Sequence, residues 1–364
     1  MKYCTLQELC DIKAGGTPSR SNPEYWNGSI PWIKISDIDE RVVNTAEESI
    51  TEQGLEHSSA KLFKKGTILY SIFASLGTTG ILGIDAATNQ AIAGINPLDG
   101  AMADKEYLYY YLLSTKPMVN SIGRGVAQNN INLSVLRNFQ VPLLEINKQK
   151  HIVKILKEAE QIIDCYKEQL TKMDLLIKSR FVEMFGDPIT NTKSLKTKEL
   201  KDVMILKAGD FTAASDISSI PSGDNIYPCY GGNGIRGYVA QFNQEGDYSL
   251  IGRQGALSGN VQYAKGKFRN TEHALLVTPI CEMNSVWLNQ LLIILDLKRY
   301  QTGAAQPGLS VKNLQEIPII IVSLDEQEKY ASFIECVDKS KAVIQKSLNE
   351  AQLLFDSLMQ EYFG

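Results

Sequence analysis

The sequence predicts a mixed α/β (α+β) chain in which two globular heads are separated by two long helices, the whole built as an internal repeat. Three observations predict it. "EMFGD" at residues 183–187 is spelled again, nearly unchanged, as "EYFG" at residues 361–364. Shifting the chain on itself by 178 positions aligns residues 125–186 with 303–364 without a gap. That register makes identities of Gly125/Gly303, Ala127/Ala305, Gln128/Gln306, Leu136/Leu314, Gln149/Gln327, Leu170/Leu348, Leu175/Leu353, Leu176/Leu354, Glu183/Glu361, Phe185/Phe363 and Gly186/Gly364. Finally, each repeated segment ends in a stretch free of Pro and Gly, whereas the region before it is broken by Gly and Asn turns between short β-rich runs. A period this long marks duplicated domains and not the stacked small units of a solenoid.

The elements follow in order. Residues 1–146 and 187–324 are the heads, and 147–186 and 325–364 the helices. In the heads, "GTILYSIF", "TGILGI", "GDYSLIG" and "HALLVTP" read as strands, and "DKEYLYYYLLST" and "NSVWLNQLLIILDLK" as helices with an apolar face. The openings match as well: "LQELCDIKAGGTP" and "TKELKDVMILKAGDFT" share Lys-Ala-Gly. From Gln149 to Met184 the apolar residues Ile152, Leu156, Ala159, Ile163, Tyr166, Leu170, Met173, Ile177 and Met184 fall on one a/d seam, broken only by Arg180. In the second copy Tyr330, Ile334, Val337, Ile344, Leu348, Ala351, Phe355, Leu358 and Tyr362 do the same, broken by Lys341. A helix of roughly 36 residues is about 54 Å long and needs a partner for its seam. The other copy is the nearest, and a pseudo-two-fold relation between copies makes the pair an antiparallel coiled coil, heads at opposite ends.

The composition, 44% hydrophobic and 21% charged over 364 residues, suits an ordinary soluble protein of two or three domains. No apolar run is long enough to span a bilayer or to act as a secretory signal. Six scattered cysteines (Cys4, Cys10, Cys165, Cys229, Cys281 and Cys336) show no metal-type spacing, which suggests reduced thiols and a cytoplasmic location. A net charge of −4 argues against a protein that coats nucleic acid by bulk electrostatics but leaves room for a local basic cleft.

Catalytic signatures are missing. The stretch "GGNGIRGYV" holds a literal GxGxxGxV at Gly232, Gly234, Gly237 and Val239, yet "YVAQF" after it alternates like a strand where a phosphate loop needs a helix. It reads as a glycine-rich hairpin. His57, His151 and His273 sit in no HExxH pattern, and there is no GxSxG, Walker A or kinase set. The tyrosines Tyr107, Tyr109, Tyr110 and Tyr111 read as core packing. No cofactor and no metal is expected in the chain.

The loops, by contrast, set Arg, Lys, Asn and Gln beside glycine, the side chains that read base edges. The candidate DNA-binding residues are Arg20, Lys34, Asn89, Gln90, Arg124, Gln128, Asn129 and Asn130 in the first head. In the second they are Asn233, Arg236, Arg253, Gln254, Lys267, Arg269, His273 and Gln306. For any single one the plainer reading is a turn residue or a surface charge.

"YWNGSIPWIKISDI", "NQAIAGINP", "IYPCYGGNGIRGYV" and "GDYSLIGRQGALSGNV", with the Gln149/Gln327 helix starts and the Phe-Gly helix ends, resemble the DNA specificity subunit of type I restriction-modification systems. The resemblance runs through the whole chain. It implies two target-recognition domains, 1–146 and 187–324, each reading half of a bipartite site on double-stranded DNA, and conserved spacer helices that set the gap. It implies a non-catalytic subunit whose partners are modification subunits, two by expectation, and restriction subunits. Those partners would bring S-adenosylmethionine, ATP and Mg. Because the heads differ from 13 to 124 and from 207 to 302, the target should be asymmetric. A rival reading from the residues alone is a duplicated coiled-coil adaptor whose heads bind protein or carbohydrate.

Overall fold

The computed structural model describes residues 2–100, 102–123, 130–255, 257–302 and 308–364. Contacts divide the chain into two units: Met1–Cys165 with Leu348–Gly364, and Tyr166–Ser347. Each unit holds one head together with a part of both long helices, which run Ile146–Phe185 and Leu324–Phe363. At 40 residues apiece these helices are about 60 Å long.

In the first unit a five-stranded sheet runs in the order Cys10–Ala14, Ile92–Pro97, Ile68–Ser71, Thr79–Leu82, Val42–Val43. A four-stranded sheet runs Glu48–Ile50, Trp26–Ile33, Ala86–Thr88, Leu62–Phe63, with Trp26–Ile33 and Ala86–Thr88 parallel. A short ribbon pairs Lys2–Thr5 with Gln140–Leu143. The second unit repeats this plan strand for strand. Its first sheet runs Met204–Ala208, Ala274–Pro279, Tyr248–Gly252, Val261–Ala264, and its second Gly234–Val239, Tyr227–Gly231, Lys267–Asn270, Gln244–Glu245. Here Tyr227–Gly231 and Lys267–Asn270 are the parallel pair, and Thr197–Glu199 with Pro318–Ile320 the ribbon. The strand Val42–Val43 is an addition of the first head. The glycine-rich stretch is a hairpin, with Gly231 opposite Gly234.

The shared Lys-Ala-Gly now has a reason. Gly15 donates its N–H to Ile92 and Gly209 to Ala274, and at each a Cβ would run into a carbonyl, that of Thr88 or of Asn270. Only glycine lets the two sheets approach so closely.

Each head seats a helix on the long helices. Asp104 caps Lys105–Ser114 by accepting the N–H groups of Glu106 and Tyr107, and Asn284 caps Ser285–Ile294 through Val286 and Trp287. The repeated glutamine holds each of these caps. Gln149, fully buried, accepts the Asp104 N–H at 2.7 Å and donates to the carbonyls of Met102 (2.8 Å) and Leu144 (2.7 Å). Gln327 accepts the Asn284 N–H at 2.8 Å and donates to Val322 at 3.1 Å. The repeated Phe-Gly ends lie on the same helices: Phe363 against Tyr107 and Tyr111, Phe185 against Trp287.

Within each unit the long helices are antiparallel. In the first, Tyr107 meets Phe363 while Tyr110, one turn on, meets Phe355 and donates to Glu160, so one helix advances as the other retreats. In the second, Phe181 and Phe185, near the end of the first long helix, pack on Tyr330, near the start of the second. The Tyr330 hydroxyl donates to the Ile177 carbonyl at 3.0 Å. The seam drifts from the predicted register at the far end: Phe181 and Phe185 are buried and Met184 only half-buried. A straight helix slips against a strict seven-residue repeat, and this end enters the aromatic core of a head and not a two-helix seam. Lys341, the break in the second seam, reaches Asp174 across the pair at 2.5 Å.

One ionic knot ties the first head to its helix. Arg41 pairs with Glu106 and Glu160 and donates to the Tyr110 hydroxyl at 2.6 Å, and Lys157 lies 3.1 Å from Glu106. Burial works against the Arg41 charge, but Tyr110 and the two carboxylates outweigh it and hold the guanidinium above its usual range. Arg41→Ala should lower the stability of this unit by about 3 kcal/mol, since it takes the guanidinium from two partly buried carboxylates and leaves Glu106 only Lys157. Urea unfolding, read against the unchanged second unit, measures it. The four helical tyrosines, Tyr107, Tyr109, Tyr110 and Tyr111, are all buried, as packing residues.

Candidate nucleic-acid interface

In the first head Arg20, Lys34, Asn89 and Gln90 gather around the four-stranded sheet. Arg20 lies over the Trp26 ring at 3.6 Å and pairs with Glu48, and Trp26 meets Trp32 edge-on at 5.1 Å. Lys34 pairs with Glu47 at 2.6 Å and Glu48 at 3.1 Å. The bonds to Glu47 and Glu48 raise the Lys34 pKa, while the bond from Arg20 holds the Glu48 carboxyl below its usual range. Both cations are therefore present but charge-compensated. Trp32 donates to the Gly16 carbonyl at 3.0 Å and so ties this group to the turn where Thr17 bonds Gln90. Asn89 spends its side-chain oxygen on the Ala91 N–H at 3.1 Å. Asn130 is half-buried and bridges to Phe73. Arg124, Gln128 and Asn129 lie outside the described residues, as does Gln306 in the second head.

In the second head the hairpin and two strand ends converge. Gly232 sits against the His273 carbonyl and Gly252, where any added Cβ would crowd it. This contact brings the Asn233 turn against Arg253, Gln254 and His273. Asn233 accepts from Asn260 at 2.8 Å. His273 places Nδ1 3.0 Å from Gln254 Oε1 and Nε2 3.1 Å from Glu272 Oε1. Arg236 is exposed with its chain laid over Gly231, and among the described residues neither Arg236 nor Arg253 makes an ion pair. Among the candidate residues, the uncompensated cations Arg236 and Arg253 therefore sit in the second head, whereas Arg20 and Lys34 of the first are paired. Lys267 lies 3.8 Å from Glu245 and 4.8 Å over the Phe242 ring. Arg269 is spent on local structure, donating to Thr212 Oγ1 at 3.2 Å and to the Phe211 carbonyl at 3.4 Å.

Sequence reasoning missed several residues of these surfaces. Phe211 is 76% exposed and borders a concavity of about 380 Å³ with Thr212, Asp216, Asn225 and Arg269. A bulky apolar residue between "GD" and "TAAS" was the available signal. Glu48 had none, because its role is to orient Arg20 and Lys34 from a distance in sequence, and Glu272 stood beside His273 with nothing local to show that the pair braces Gln254. No group of three or more metal-ligating side chains occurs among the described residues, and no helix is long and apolar enough to cross a membrane.

Comparison with known proteins fits this arrangement. A family model described as "Type I restriction modification DNA specificity domain" matches residues 1–173 and 192–353. The specificity subunit of the Escherichia coli type I restriction enzyme EcoprrI is 29% identical over 353 residues, 93% of this chain and 88% of that protein. The MjaIX specificity subunit of Methanocaldococcus jannaschii is 31% identical over 230 residues, 60% of this chain and 52% of its own. Among solved structures, the Mycoplasma genitalium type I S subunit covers 100% of this chain and 96% of its own, at TM-score 0.56 and 19% identity. A chain from a structural study of type I complex assembly and conformational transition covers 100% and 97%, at TM-score 0.59 and 15% identity. Two heads of one topology, each packed on parts of both long helices, and a family match over both halves together assign the chain to the DNA specificity subunits of type I restriction-modification systems, the non-catalytic members of those systems.

Proposed function

We propose that each head reads one half of an asymmetric bipartite DNA site while the long helices set the gap and hold methyltransferase subunits. One observation carries the reading: the heads share a strand order and register but present different side chains at matched places. A common scaffold with exchanged tips is what reading two unlike half-sites requires, since base edges specify and scaffold contacts position. The repeat also carries an identical leucine pair on each long helix, exposed in both copies. Leu175 and Leu176 are 62% and 46% exposed, Leu353 and Leu354 67% and 57%. Residues kept alike while the heads diverge suit two copies of one partner, here two modification subunits.

On this reading S-adenosylmethionine belongs to the modification subunits, ATP and Mg to the restriction subunits, and the chain works in the cytoplasm where its DNA lies. The net charge of −4 fits a reader whose grip on phosphate is completed by partners, so binding by the chain alone should be weak and strongly salt-sensitive. The test is expression with the co-encoded methyltransferase in a methylation-free host, with modified adenines mapped across the genome. A single gapped, asymmetric motif is expected, and exchanging residues 187–324 for those of a relative should change one half only. Co-purification of both proteins with no motif would favour an adaptor whose heads bind protein or carbohydrate.

A further inference from the structure

We infer that Phe73 and Gln254 are the same specificity position in the two heads, filled by an apolar side chain in one and a carboxamide in the other. The inference rests on the bipartite reading proposed above. Three features of the structure make the two residues counterparts although nothing in their local sequences aligns them. Each lies two residues beyond the end of a matched strand pair, Ser71 opposite Ile92 and Gly252 opposite Ala274. Each makes an isolated antiparallel bridge, Phe73 to Asn130 and Gln254 to Gly308, and those two partners are themselves related by the 178-residue repeat. Each is followed by a residue in the left-handed region, Ala74 at φ 57° and Gly255 at φ 79°.

That backbone is costly for alanine, yet it is kept at Ala74. The turn projects a variable side chain from a bridge to the segment that the two copies share. Phe73 is 42% exposed, and Gln254 is exposed with its amide oxygen held by His273 Nδ1 at 3.0 Å. His273 Nε2 lies 3.1 Å from Glu272 Oε1, and an imidazole carrying a proton on both nitrogens donates to both oxygens, so the Gln254 amide is oriented before it meets a ligand. A carboxamide so fixed still has an open lone pair and an NH₂ group, the pair that matches adenine N6 and N7 in the major groove. A phenyl ring has no such pair and favours the thymine methyl group. The position thus helps to make the two half-sites different.

The test is methylation mapping of the full chain with its methyltransferase, comparing wild type with Phe73→Gln, Phe73→Leu, Gln254→Phe and Gln254→Glu. The head exchange described above assigns each half-site to its head. Gln254→Phe and Gln254→Glu should weaken the preference for adenine at one position of the second head's half-site by roughly 10- to 100-fold and leave the other half unchanged. Phe73→Gln should shift one position of the first head's half-site from thymine toward adenine, while Phe73→Leu keeps thymine. If wild type yields a gapped motif and all four variants methylate that same motif at its rate, the inference is wrong and the bipartite reading stands. Loss of methylation at every sequence in all four would place both residues in folding or assembly and would equally overturn it. A wild-type chain with no motif fails at the earlier step, the proposed function itself.

Discussion

Replacing Leu175 and Leu176 together with aspartate is expected, on the docking proposed above, to remove one of the two proposed methyltransferase subunits from the complex without unfolding the chain. Both leucines face away from the seam, which at that level is made by Met173 and Ile177, and both are largely exposed. Nothing in their own unit depends on burying them, so the melting temperature should hold. An interface that covers them gains about 1.5–3 kcal/mol per fully buried leucine, and an aspartate there would instead lose its hydration without a partner. The affinity of that site should fall by about 100-fold or more. Native mass spectrometry of the co-expressed complex should show the species with two subunits replaced by the species with one. The same change at Leu353 and Leu354 should remove the other subunit, and all four together both. Two subunits bound at undiminished affinity in the fourfold variant would exclude the leucine pairs as the docking face.

The second large effect is expected in stability. Gln149→Leu keeps the volume of the side chain but strips three hydrogen bonds from the backbone groups of Met102, Asp104 and Leu144 in a site with no exposure. A buried polar group left unmade costs about 1–3 kcal/mol, and three that relax in part should cost about 4 kcal/mol together. In a unit of this size that is a loss of about 10 °C in melting temperature, localised to the first head. Gln327→Leu, which breaks the bonds to Asn284 and Val322, should cost less and act on the second head. Calorimetry of the two variants decides it: equal small shifts would show that water replaces the amide at little cost. Hydrogen exchange would then place the loosened amides at Asp104 in one variant and Asn284 in the other.

These two predictions use the residues that the repeat keeps identical, and the structure divides those residues by role. Gln149/Gln327 and Phe185/Phe363 point inward, to the cap and the aromatic face of the helix in each head. Leu175/Leu353 and Leu176/Leu354 point outward. Identity between copies signals that a position matters twice, but a heptad count alone does not say whether it holds the chain together or meets something else. Arg41 is the opposite case: it directly precedes Val42–Val43, the strand that the first head adds, and its bonds to Glu106 and Glu160 belong to the first unit only.

By itself the sequence determined the repeat, the two long helices and the absence of catalytic signatures, because these depend on spacing along one chain. A helix is a local structure, and a seam every three or four residues, a Pro-free run and a terminal Phe-Gly are all written within it. The glycine-rich hairpin was legible for the same reason: the alternation after Gly237 excludes a helix. Only the tertiary structure decided that the two dissimilar heads have one strand order, since sheets join residues far apart and a matched register leaves no matched sequence behind. It also decided the state of the predicted site. Arg20 and Lys34 are quenched by Glu48, Arg269 is turned to Phe211 and Thr212, and Gln254 is oriented by His273, because each pairing crosses a distance in sequence at which no local pattern can report who stands beside whom.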